Sequence, residues 1–210
     1  SDRIKGRRAQ LLQGFVRHWS RPARDGCAPL AEGFELAVDA GDFVWGAFCA
    51  QMYIILSFLS GADLRVLEPE ARRYTDATAK LKQEHAIALN ECYVRATANL
   101  RHESADPTRL GDEAPLHATL ASHENNTGLF NLDRGAALGR HLHEQARQLL
   151  LAVVHDSPEA PELAKKAGRY IEAVPATYCV PAFLAFEVFA STQNWDELSM
   201  AERARFGARA

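Results

Sequence analysis

Apolar residues recur along this chain at helical spacing, not strand spacing. Near the start they fall at Ile4, Leu11, Leu12, Phe15, Val16 and Trp19, one stripe of an amphipathic helix, with basic residues on the opposite face. That stripe predicts a helix packed on its neighbour through its apolar side. Residues 28–40 carry Leu30, Phe34, Leu36 and Ala37 before Gly41-Asp42, a helix stop followed by a residue able to cap the next helix. Residues 43–60 are apolar at almost every turn, which predicts a helix buried on most sides. Ser60-Gly61 closes it, and residues 63–68 read as a short turn. Pro69 suits a first helical turn, so one long helix is expected from there to Leu100. Leu64, Leu67, Ala71, Tyr74, Thr78, Leu81, His85, Ala88 and Cys92 form a narrow seven-residue seam, suited to antiparallel neighbours.

Periodicity then breaks. Residues 101–131 contain Pro107, Gly111, Pro115, Asn125-Asn126 and Gly128, and read as a long irregular loop with a short helix near 116–123. Helices resume over 132–154, 161–173, 181–191 and 199–207. No run of alternating β-branched residues and no hairpin turn predicts a strand, so the class is all-α. Three junctions look alike: residues 37–42, 58–64 and 151–156 each join an apolar helix end to a small or acidic turn and a restart. Such repetition predicts tetratricopeptide-like antiparallel helical repeats, a short α-solenoid, in a single domain over 1–210.

Composition narrows the class without naming an activity. With 47% hydrophobic and 24% charged residues, the 210-residue chain has the balance of a folded globular protein. No apolar run approaches the roughly 20 residues of a membrane span, and the Arg-rich opening lacks the apolar core of a secretory signal. Cys27, Cys49, Cys92 and Cys179 lie far apart with no C-x-x-C pair, and read as reduced, mostly buried thiols of a cytoplasmic protein. Charge is uneven. Residues 1–24 hold seven basic residues and one acidic, a balance of +6, so the rest of a chain of net charge −3 carries −9. A basic arm of this kind suits nucleic acid or an anionic membrane surface. The absence of interleaved exposed aromatics and of a docking motif argues against nucleic acid. A solvated helix face is the expectation.

Candidate chemistry is sparse. His141 and His143 are two residues apart, so on a helix they point about 200° from each other and cannot share a metal. His117 and His123, with Glu124 and Asp112, need the loop to fold back before they resemble a zinc or iron site. His85 sits on the apolar seam as a core histidine. Glu68 and Glu70 flank Pro69, where their charge suits the helix dipole. Trp45, Phe48, Tyr53 and Phe58 read as core, and Tyr178, Phe183, Phe186 and Phe189 as a second aromatic group. The phosphate-cradling G-x-x-x-x-G-K-[ST] loop and the kinase catalytic-loop signature are absent. Hence no catalytic, cofactor-binding or metal residue is assigned, no cofactor is expected, and this chain is not read as an enzyme.

One resemblance concerns order more than any single motif. Residues 40–48 (AGDFVWGAF) and 58–64 (FLSGADL) are followed by 98–102 with 107–112, then 164–175 and 195–204. In that order they resemble the helical-repeat region of very large signalling proteins. Those proteins join a protein-kinase-like domain and a predicted NTPase domain to a GAF domain and a sensor histidine kinase. The resemblance covers about residues 28–205, and residues 130–151 match it poorly. It implies a non-catalytic interaction and coupling module whose partners are a protein, neighbouring domains of its own polypeptide, or a second copy. The alternative is an all-α ligand sensor or enzyme with residues 101–131 as a lid.

Overall fold

Helices account for every regular element among the described residues, which in this computed structural model are 2–101, 106–110, 132–174, 176–193 and 199–207. They are α1 (Asp2–Phe15), α2 (Cys27–Asp39), α3 (Phe43–Leu59), α4 (Leu64–Lys80), α5 (Glu84–Leu100), α6 (Leu132–Val154), α7 (Ala160–Gly168), α8 (Cys179–Gln193) and α9 (Met200–Gly207). Short 3-10 turns at Arg17–Trp19, Ala23–Gly26 and Ile171–Ala173 complete the set. The expected helix near 116–123 lies outside the described residues.

One turn is used four times. After α2, α3, α4 and α6 a single residue takes the left-handed conformation: Gly41 (φ 70°), Gly61 (φ 77°), Lys82 (φ 57°) and Asp156 (φ 51°). In each, the amide of the next residue donates five residues back, Asp42 to Ala37, Ala62 to Ser57, Gln83 to Thr78 and Ser157 to Ala152. The left-handed residue donates three back, which completes a Schellman cap and satisfies carbonyls the helix end would otherwise orphan. Three of these turns are the look-alike junctions of the sequence. The fourth corrects the expected long helix over 69–100: the chain turns at Leu81–Gln83, where Lys82 occupies a position glycine would have advertised. The correction extends to Pro69. It stands in the second turn of α4, not the first, and the helix starts five residues earlier at Leu64, capped by Asp63, whose carboxylate accepts the Arg65 amide at 2.9 Å. Pro69 is exposed, so the carbonyl it leaves without a donor meets water.

The seam holds through α4, where Leu67, Ala71, Tyr74 and Thr78 are buried, and loses register beyond the turn, where α5 buries Ala86, Leu89, Cys92, Tyr93 and Ala96. As expected, α3 is wrapped on most sides and carries the middle of the core. The contacts have a regular order. α1 touches α3, α3 touches α5, α5 touches α6 and α6 touches α8, while α2 packs against α1 and α3, α4 against α3 and α5, and α7 against α6 and α8.

α1 meets its neighbours through the side opposite to the expected one. Gly6, Gln10, Gln13 and Gly14 are buried, whereas Ile4, Leu11, Phe15, Val16 and Trp19 are 65%, 49%, 36%, 58% and 61% exposed. Close approach explains it. A Cβ on Gly6 would lie 2.9 Å from the Ala37 Cβ, and one on Gly33 would lie 2.7 Å from the Ala9 Cβ. The two backbones therefore meet along a strip of small residues that no leucine face could occupy. Asp42 also departs from expectation. Its side chain makes no cap bond; it accepts from Arg7 Nε at 2.8 Å, with Arg3 Nε at 3.6 Å, and so ties α1 to the start of α3.

Candidate functional site

Several residues singled out above have structural employment. Glu68 accepts from Arg72 within α4 and from Arg101 Nη1 at 2.6 Å, joining α4 to the end of α5. Glu70 accepts the Tyr53 hydroxyl at 2.5 Å, joining α3 to α4. Phe58 is core, while Trp45, Phe48 and Tyr53 are half-buried. Of the later aromatics, Phe183 is buried, Phe186 and Tyr178 are half-buried, and Phe189 is 57% exposed. His117, His123, Glu124 and Asp112 lie outside the described residues, as do the side chains of His85 and His141.

What the fold does assemble is a buried polar cluster, drawn from three helices 86 residues apart in sequence at the extremes. Tyr93 comes from α5, His143 and Arg147 from α6, and Cys179 from the first position of α8. His143 and Arg147 are one helical turn apart and share a face of α6. The Tyr93 hydroxyl lies 2.6 Å from His143 Nδ1. Burial raises the Tyr93 phenol well above its ordinary value, so it stays protonated and donates, and the imidazole proton is left on Nε2. Burial first, and the Arg147 charge second, push His143 down to about 3, so the ring is neutral.

Cys179 Sγ lies 3.6 Å from Nε2 and 3.8 Å from Nδ1 of that ring, between the two nitrogens and in line with neither. A cysteine at a helix start beside a histidine is the usual site of an activated thiolate. Here burial outweighs the helix dipole and Arg147 and raises the thiol, and neighbouring Cys92 is pushed up to about 12 in the same way. The pair is therefore a packed thiol on a neutral ring, without the charge separation a nucleophile needs.

Arg147 is 1% exposed. Its Nε and Nη1 find no acceptor. Instead the guanidinium lies 5.1 Å from the Phe58 and Tyr93 ring centroids and 5.4 Å from that of Phe186. Three ring faces supply the negative potential that a carboxylate would otherwise provide. The cage spans α3, α5 and α8 around α6, and its chemistry is cohesion. Nothing in the sequence marked Arg147, because only the fold brings Phe58, Tyr93 and Phe186 around it. Among the described residues, no three His, Cys, Asp or Glu side chains converge as metal ligands, and no helix is long and apolar enough to cross a membrane.

The other feature is a surface. Ile4, Leu11 and Phe15 line the side of α1 turned away from α2, and Val44 of α3 is 44% exposed. Arg7 bridges the two helices, its guanidinium 5.5 Å from the Trp45 ring. Arg8, Arg17, Arg21 and Arg24 are exposed around α1.

The class these features define is an all-helical protein with a buried polar cluster inside and an apolar, basic face outside. Comparison with known protein families, curated proteins and solved structures gives no match.

Proposed function

We propose that this chain is a non-catalytic helical-repeat module, tetratricopeptide-like in organisation, that docks a protein partner or a neighbouring domain of its own polypeptide. Two regularities support the repeat reading. The helices α1, α3, α5, α6 and α8 form a row in which each touches the next, with α2, α4 and α7 as a second layer, and four of the turns between helices share one geometry. Stacked helix pairs of this kind present one long side of the row to a partner. In the signalling proteins that the sequence resembles, such a module would couple the NTPase and sensor-kinase domains, and it would do so in the cytoplasm.

The observation that carries the docking role is the exposed group Ile4, Leu11 and Phe15, which share one face of α1. Large apolar side chains on one helix face, set among arginines, are costly in water and useful at an interface. A photo-crosslinking side chain placed at Phe15 or Leu11 in the native host tests this. Discrete adducts with the same protein from both positions are expected, and none from Asp76 on the second-layer helix α4. Identical adduct patterns from all three positions would overturn the reading.

A further inference from the structure

Two aspartates stand at matching places in this fold and do different work. Each follows a left-handed glycine turn, Asp42 directly after Gly41 and Asp63 two residues after Gly61, and each is the last residue before a helix, α3 or α4. Asp63 caps its helix, with its carboxylate accepting the Arg65 amide at 2.9 Å. Asp42 does not, and the first amides of α3 receive no side-chain cap. Its carboxylate is turned to α1 instead, onto Arg7 Nε at 2.8 Å with Arg3 Nε at 3.6 Å. α1 thus holds a residue that α3 would otherwise use for itself.

Much of the remaining α1 contact is poorly satisfied. Its buried face is Gly6, Gln10, Gln13 and Gly14, and the side-chain oxygens of Gln10 and Gln13 are buried with no donor. A buried acceptor without a partner costs the hydrogen bond to water that it gave up. Docking also leaves Ile4, Leu11 and Phe15 in water, so it forgoes the apolar burial that an amphipathic helix ordinarily gains. Against these costs stand the close backbone contact with α2, the Arg7 guanidinium beside the Trp45 ring, and the Cys49 thiol donating to the Gly6 carbonyl at 3.4 Å. The ion pair at Asp42 adds to them, on a carboxylate that is 8% exposed and so needs a partner wherever it points.

We infer that α1 is a detachable arm latched by Asp42. Docked, the carboxylate holds Arg3 and Arg7; released, it turns back and caps α3 as Asp63 caps α4. Release returns both glutamine oxygens to water, so a cap and two hydrated amides offset the lost ion pair, which is what a two-state element requires. The inference goes beyond the docking reading and does not rest on it.

Amide hydrogen exchange, followed residue by residue by NMR on the purified chain, tests it. In wild type the α1 amides should exchange faster than those in the middle of α3, and faster still in high salt, which screens the Asp42 pair. Arg3→Gln combined with Arg7→Gln changes two half-exposed side chains. It should speed α1 exchange by about tenfold. The Val44 and Trp45 amides should slow by about fivefold as Asp42 takes up the cap. Asp42→Ala should speed α1 equally and leave Val44 and Trp45 fast. Three results overturn the inference. One is a single rate for α1 and the middle of α3, which would make them one cooperative unit. Another is a double variant in which α1 is no faster, or Val44 and Trp45 no slower. The third is loss of protection throughout the chain in that variant.

Discussion

Acidification should weaken this fold through His143 before its carboxylates titrate. In the folded chain the ring is held near 3 by burial and the Arg147 charge, whereas in the unfolded chain it titrates near 6.5. The folded value is the depressed one, so the unfolded state binds the extra proton. The stability is intact above about pH 6.5 and is lost as pH falls, until folded His143 itself protonates near 3. One proton changes stability by about 1.4 kcal/mol per pH unit, so moving from pH 7 to pH 5 removes about 2 kcal/mol from this residue alone. That figure holds for any folded value well below 5. It amounts to roughly a thirtyfold change in the folding equilibrium.

Urea titrations of wild type and His143→Gln at pH 7, 6 and 5 isolate the effect. Glutamine offers an acceptor to the Tyr93 hydroxyl but takes up no proton in this range, so its pH dependence is that of everything else. His18, which burial also lowers, contributes to both curves alike. The difference between the curves should shrink by about 2 kcal/mol from pH 7 to pH 5. Parallel curves would mean that His143 is already protonated in the fold or that water reaches it, and the reading of a dry, neutral cluster would fail.

Three other outcomes are expected. Lys82→Gly relieves a side chain held at φ 57° and should stabilise the chain by about 0.5–1 kcal/mol, raising the thermal midpoint by a few degrees; an unchanged or lower midpoint would count against the turn between α4 and α5. Gly33→Ala places a methyl group 2.7 Å from the Ala9 Cβ and 3.2 Å from Cys49 Sγ, and should cost about 1–3 kcal/mol in urea while loosening α1 enough to expose it to protease. An aromatic disulfide reagent should label only half-buried Cys27 readily in the native chain and all four thiols in denaturant, since burial raises every one of these thiols but closes Cys49, Cys92 and Cys179 to the reagent as well; fast native labelling of Cys179 would restore a reactive role for its pairing with His143.

The sequence made the helical class and three of the four turns legible because glycine and acidic residues mark left-handed caps openly. Lys82 marks nothing, and so two helices looked like one. The bounds of α6 coincide with those expected from periodicity, whereas the buried face of α1 does not. Periodicity finds a helix and its stripe but not the neighbour's shape, and here the small strip Gly6, Ala9 and Gly14 fits Gly33, Ala37 and Met52 more closely than the leucine stripe could. The buried cluster was illegible for another reason. Tyr93, His143 and Cys179 are 50 and 36 residues apart, and no local spacing relates them.

The same preference that misdirects the sequence reading of α1 also shapes its surface. A helix that packs through glycines gives up area to gain closeness, and the leucines and aromatics it does not bury must face outward. α8 reaches that state from the other side: apolar nearly all round, it packs on α6 and α7 and leaves Leu184 and Val188 exposed among the described residues. The cluster of Tyr93, His143, Arg147 and Cys179 lies between these extremes: it fixes α5, α6 and α8 to one another through polar groups that are themselves buried.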